Sequence, residues 1–172
     1  ALENQNFTSA TNAYNVCIGY EAGHDITTGQ QNTLVGGLAG DKLTDADYNV
    51  VVGLNSLGTD VRGSRSTAVG YATLAAQNFS SATNTYNTAV GYNAGTAITT
   101  GIQNTLIGSL AGQALTDADF NVAIGINALQ ADTKGNKSVA IGDSALGNQN
   151  FASSTDAYNV AIGYSAGVAI TT

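Results

Sequence analysis

The feature that most restricts this chain is self-similarity. Asn15-Val-Cys-Ile-Gly-Tyr20 returns as Asn87-Thr-Ala-Val-Gly-Tyr92 and again as Asn159-Val-Ala-Ile-Gly-Tyr164, a step of 72 residues each time. Thr27-Thr28-Gly29 matches Thr99-Thr100-Gly101, and Asp45-Ala-Asp47 matches Asp117-Ala-Asp119, in the same register. The chain therefore divides into units 1–72 and 73–144 and a partial unit 145–172, read together as one solenoid. Residue 1 aligns with 73 and 145, so the sequence is expected to be a piece cut from a longer array. Stacked repeats touch only their neighbours, so length sets extent and not core diameter.

Each unit divides again. Pentads begin at Asn15, Asn32, Asn49, Ser66, Asn87, Asn104, Asn121, Ser138 and Asn159, with spacings 17, 17, 17 and 21 that then recur. Each pentad runs Asn/Ser, Thr/Val, a small or aliphatic residue, Val/Ile, Gly, and a second short apolar element follows three residues later, such as Ala22-Gly23 or Ser56-Leu57. Runs this short, β-branched and closed by Gly at fixed intervals read as strands and not helices. Gly there suits a bend with positive φ or a close backbone approach. Hairpins would need two-residue turn signals such as Asn-Gly, which are absent. The pattern predicts an all-β parallel solenoid with one coil per 17 or 21 residues. Nine strands at about 4.8 Å would make a rod of roughly 40 Å.

The third and fourth pentad positions are both apolar, as in Leu106-Ile107 and Ala140-Ile141. Neighbours in a strand point to opposite faces, so both faces are expected to be buried. One face fills the coil's own interior, and the other calls for a second copy of the chain.

The Ser-Val-Ala-Ile-Gly and Asn-Thr-Ala-Val-Gly pentads resemble the head repeats of YadA-like trimeric autotransporter adhesins. They resemble more closely the Asn-Thr-Ala-Ile-Gly repeats, spaced by 17 residues, of phage tail-fibre-like proteins. The resemblance covers essentially the whole chain. It implies a left-handed parallel β-roll, a homotrimer, and a place in an extracellular fibre on a cell surface or virion. Adhesin heads usually have coils nearer 14 residues, so the larger outer loops here weaken the carry-over of a matrix-binding role.

Charge and composition narrow the function. Charged residues are 10% of the chain and the net charge is −7, which argues against a nucleic-acid groove built from clustered Lys and Arg. One cysteine excludes an internal disulfide framework. Cys17 aligns with Ala89 and Ala161, and the sole histidine, His24, aligns with Thr96 and Val168, so the repeat uses neither for chemistry. No nucleophile–His–acid set or phosphate-cradling loop is present, so the chain is read as non-catalytic, without a cofactor and without direct membrane insertion in this segment.

Three sets of residues are candidates for sites. Asp45, Asp47, Asp117 and Asp119 have the Asp-x-Asp-x-Asn spacing of a calcium loop, but Val50 and Val122 stand where its Gly belongs. A turn in which Asp side chains accept from nearby N–H groups is the favoured reading. Arg62, Arg65, Lys134 and Lys137 recur in register with Asp60 and Asp132 before them; surface ion pairs are favoured over a glycan-binding stripe. Asn78, Phe79 and Tyr86, with Asn150, Phe151 and Tyr158, bracket the long loop of the 21-residue coil. They either contact a host-surface glycan or protein, or pin a polar loop that buries little to offset its ordering entropy; pinning is favoured. A carbohydrate-binding module using these loops is the alternative to a structural fibre segment. An ice-binding solenoid is less favoured, because Thr-Thr occurs in only one coil of each unit.

Overall fold

The computed structural model describes all 172 residues and contains strands and turns but no helix. Residues 1–72 carry β1 (Val16–Ile18), β2 (Thr33–Val35), β3 (Val50–Val52), β4 (Gly63–Ser64) and β5 (Thr67–Val69). Residues 73–144 carry β6 (Thr83–Asn84), β7 (Thr88–Val90), β8 (Thr105–Ile107), β9 (Val122–Ile124), β10 (Gly135–Asn136) and β11 (Val139–Ile141). The partial unit adds β12 (Thr155–Asp156) and β13 (Val160–Ile162). All nine pentads supply one parallel sheet, ordered β1-β2-β3-β5-β7-β8-β9-β11-β13. The chain is thus a parallel β-solenoid of about nine turns. The register follows the repeat: Leu34 pairs with Cys17 and Val51, and across the long loops Ala68 pairs with Ala89 and Ala140 with Ala161. Two extra ladders, β4 with β6 and β10 with β12, tie each long loop to the coil before it.

The middle residue of each strand points inward. Leu34, Val51, Ala68, Ala89, Leu106, Ala123 and Ala140 are fully buried. Coils with Gly after the second apolar element close the interior with Ile26, Leu43, Ile98 and Leu115, whereas Leu57, Leu74, Leu129 and Leu146 replace that Gly in the other coils. The exchange is steric: a Cβ at Gly112 would lie 2.7 Å from Leu106 and 2.8 Å from Leu115. The pentad glycine has a different reason. Gly91 has φ +139°, and a Cβ there would sit 2.5 Å from the Gly108 carbonyl oxygen one rung away.

The pentad's leading Asn forms a second internal ladder. Asn49 Oδ1 accepts from the Ser66 backbone N–H at 2.8 Å, while Asn49 Nδ2 donates to Asn32 Oδ1 and to the Gly63 carbonyl. Asn87, Asn104 and Asn121 repeat the arrangement. Each buried amide thereby joins two rungs and holds the turn 14 residues ahead, which satisfies groups that would otherwise be costly to bury.

Candidate functional site

The strand residues flanking each buried centre form the solenoid's outer face. Nothing in the chain covers it, so of the two faces expected to be buried only the inner one is enclosed. Ile18, Ile107 and Ile162 are 61%, 38% and 67% exposed, and Val16, Val50 and Val160 are also exposed. β-Branched residues occupy both flanking positions at every rung, Thr or Val first and Val or Ile second, giving an apolar strip the full length of the sheet.

Two ranks of larger side chains border this strip. The leading rank is the residue before each pentad: Tyr14, Tyr48, Arg65, Tyr86, Phe120, Lys137 and Tyr158, with Gln31 and Gln103 between them, and all have positive φ near 50–66°. Such a conformation is uncommon for bulky residues, so the turn into the strand is imposed by the coil and not by local preference. Arg65 lies 4.6 Å over the Tyr48 ring, and Lys137 lies 5.2 Å over the Tyr158 ring while bonding Asp156 at 2.6 Å. That ion pair raises the Lys137 pKa and lowers the Asp156 pKa. The trailing rank is the residue after each pentad glycine. It includes Tyr20, Leu54, Tyr71, Tyr92, Ile126 and Tyr164, all exposed, with Tyr71 and Tyr92 stacked at 5.4 Å.

The long loops are held from inside. Asp60 is fully buried; its Oδ1 accepts from the Gly63 and Phe79 N–H groups, each at 3.1 Å, and its Oδ2 accepts from Gln77 Nε2 at 2.5 Å. Gln77 also donates to Ser66 Oγ and accepts from Asn87 Nδ2. Asp132, Gln149, Ser138 and Asn159 repeat this network in the next unit. Phe79 is 7% exposed and Phe151 half-buried, so these rings pack against the coil. Asn78 and Tyr86 face solvent, as do Asn150 and Tyr158. The loops enclose no pocket. Asp60 and Gln77 were not singled out as a pair by sequence reasoning; the available signal was their recurrence as Asp132 and Gln149, only in the coils beside a long loop.

The remaining candidates lie apart. Asp47 Oδ1 accepts from the Gln30 N–H and Asp119 Oδ1 from the Ile102 N–H, each at 2.7 Å, so both carboxylates bond the coil 17 residues before them and not the nearby N–H groups of a local turn. Burial raises the Asp119 pKa. Asp45 pairs with Arg62 at 3.5 Å and Asp117 with Lys134 at 3.7 Å. No three His, Cys, Asp or Glu side chains converge as a metal site. His24 Nδ1 meets Asp25 at 2.6 Å in a local cluster with Glu3 and Lys42. Burial pushes the Cys17 thiol up to about 11, so it stays protonated near neutrality.

The architecture defines a class, the parallel β-solenoid repeat proteins. No family model, curated protein or solved structure matches the chain.

Proposed function

We propose that this chain is a non-catalytic structural segment of an extracellular homotrimeric fibre, a phage tail fibre or bacterial surface adhesin, wound as a left-handed β-roll. It would present a terminal or lateral attachment surface away from the particle or cell. The observation that carries this reading is the uncovered apolar strip of the outer face. Nine evenly spaced β-branched rungs, bordered by Tyr and Arg, have the anatomy of a protein interface: an apolar centre and an aromatic rim. A partner matching them along the whole length needs the same rise per rung, and another copy of this chain has it. The resemblance of the pentads to trimeric fibre repeats supplies the number three.

The test is sedimentation equilibrium of the chain across a concentration series. The reading expects three times the chain mass, and a monomer at tens of micromolar would refute it. The loop-based alternative, a carbohydrate-binding module, draws on the exposure of Asn78, Tyr86, Asn150 and Tyr158. Glycan-array binding that is lost in Tyr86→Ala and Tyr158→Ala would favour it.

A further inference from the structure

The two ranks bordering the apolar strip match each other rung by rung in a way that contacts within one chain do not explain. Where the leading residue is Gln31 or Gln103, the trailing residue of the same coil is small, Gly37 or Ser109. Where it is Tyr48 or Phe120, the trailing residue is aliphatic, Leu54 or Ile126. Tyr14 is followed by Tyr20, and the same pair recurs in the next units. The two cations complete the pattern: Arg65 shares its coil with Tyr71, and Lys137 shares its coil with Asp143, the only charged residue of the trailing rank.

These pairs do not meet inside the chain. The leading and trailing residues stand six positions apart on either side of the strand, up to roughly 20 Å at full extension. Lys137 spends its charge on Asp156, and the Asp143 carboxylate is bonded by its neighbour Ser144. Asp143 is exposed, at a position held elsewhere by Tyr, Leu, Ile, Gly or Ser.

We propose that copies of this chain associate side by side, parallel and at the same height, with the leading rank of one copy against the trailing rank of the next, so that Lys137 faces Asp143 of its neighbour. This rests on the oligomer reading above and adds to it the orientation, the register and the contacting edges. A contact between two different edges is heterologous, and with parallel copies at one height it closes into a ring about an axis along the solenoid. Only that arrangement brings residues of the same coil together. A two-fold axis across the solenoid would run the ranks in opposite order and set Lys137 against an unrelated rung. The ion pair then acts mainly on register: a slip of one rung places Lys137 against Ile126 or Tyr164 and leaves Asp143 with no cation opposite it.

The test uses the full chain with Cys17→Ala to remove the native thiol. Lys137→Cys and Asp143→Cys together, under mild oxidation, are expected to give covalent oligomers on a denaturing, non-reducing gel, while each single cysteine variant stays as one chain. Asp143→Lys is expected to weaken association at low salt by about tenfold or more. Asp143→Tyr, which copies the Arg65–Tyr71 coil, is expected to hold it within about threefold. An oligomer of unchanged mass in which the double variant does not cross-link, or in which a single variant does, overturns the edge pairing and leaves the oligomer standing. A native chain that sediments as a monomer removes the oligomer reading and this inference with it.

Discussion

Each unit contains two kinds of rung, and their interiors solve the same problem differently. In the coils opened by β1 and β2, Ile26 and Leu43 close an apolar column, with Gly23 and Gly40 making room for them. In the coils opened by β3 and β5 the same inner positions hold Asp60 and Gln77, and Leu57 and Leu74 supply the lost volume. The polar pair stands where the chain leaves the coil for the long loop. There the Asn ladder is interrupted by Ser66, whose hydroxyl meets Thr85 Oγ1 at 2.6 Å, and the Asn87 N–H turns to that Thr85 hydroxyl instead. Gln77 makes up the missing amide by reaching Ser66 and Asn87 together, and Asp60 takes the loop's Phe79 N–H. A strictly repeating core thus admits an insertion when a neighbouring rung replaces the hydrogen bonds that the insertion removes.

The largest expected effect tests that dependence. Asp60→Ala leaves the Gly63 and Phe79 N–H groups and the Gln77 amide without their acceptor in a buried site, and each such group costs about 1–3 kcal/mol. The expected loss is about 4 kcal/mol in urea unfolding, with Asp132→Ala alike and the exposed Asp45→Ala within about 0.5 kcal/mol. Equal losses for Asp60→Ala and Asp45→Ala would show that the network holds nothing. Asp60→Ala and Gln77→Ala combined should be non-additive by about 1 kcal/mol or more, because they share a bond.

The apolar rungs give the next comparison. Leu106 is fully buried while its neighbour Ile107 is 38% exposed on the outer face. Leu106→Ala is expected to destabilise the fold by about 3 kcal/mol. Ile107→Ala in the isolated chain should cost about 1 kcal/mol or less, its main effect being on self-association. Equal costs measured at a concentration where the chain is monomeric would contradict the assignment of inner and outer faces.

These two predictions also mark how much the sequence revealed. The 72-residue repeat and its pentads made the rungs, their parallel register and two opposed apolar faces readable, because a strand's two-residue alternation is a local property, but not which of the third and fourth positions turns inward. The outer face was expected to be buried, and one chain leaves it open; pattern reports that a face is apolar but not what covers it. Phe79 packs against its coil as the pinning reading has it, but Asp47 and Asp119 bond the coil before them, which a reading of their own turn does not reach. The Asp60–Gln77 pair did not follow from spacing either, because its two members lie 17 residues apart and each looks like an ordinary polar residue alone. Only the superposition of rungs places them in one interior.

A regular rung without a rescuing Gln should tolerate shortening less well than the long rung does. Asn104 Oδ1 accepts from the Asn121 N–H at 3.0 Å, and its Nδ2 holds the Ala118 carbonyl at 2.8 Å. Asn104→Ser imitates Ser66, but Leu115 stands where Gln77 would be. The expected loss is about 2 kcal/mol, from two buried backbone groups left unpaired. Asn104→Ser with Leu115→Gln should recover part of it, and no recovery would show that the amide needs the long loop's own geometry.

The smallest effect concerns the carboxylate that Asp119 lends to the neighbouring coil and has a definite sign. Burial, opposed by the bond from the Ile102 N–H, raises the Asp119 pKa above its ordinary value of 3.8. An acid whose folded pKa is raised binds its proton more tightly when folded, so its ionisation removes stability as pH rises through that window, and the deficit persists at neutral pH. Asn136 already occupies the equivalent place one coil on, where its Oδ1 accepts the Asp119 N–H at 2.9 Å. Asp119→Asn should therefore keep the bond to the neighbouring coil and be slightly more stable than the native chain at pH 7. The advantage should shrink as pH falls and vanish below the unfolded carboxyl value. A variant less stable than the native chain at neutral pH would show instead that the negative charge strengthens the bond from the Ile102 N–H by more than its burial costs.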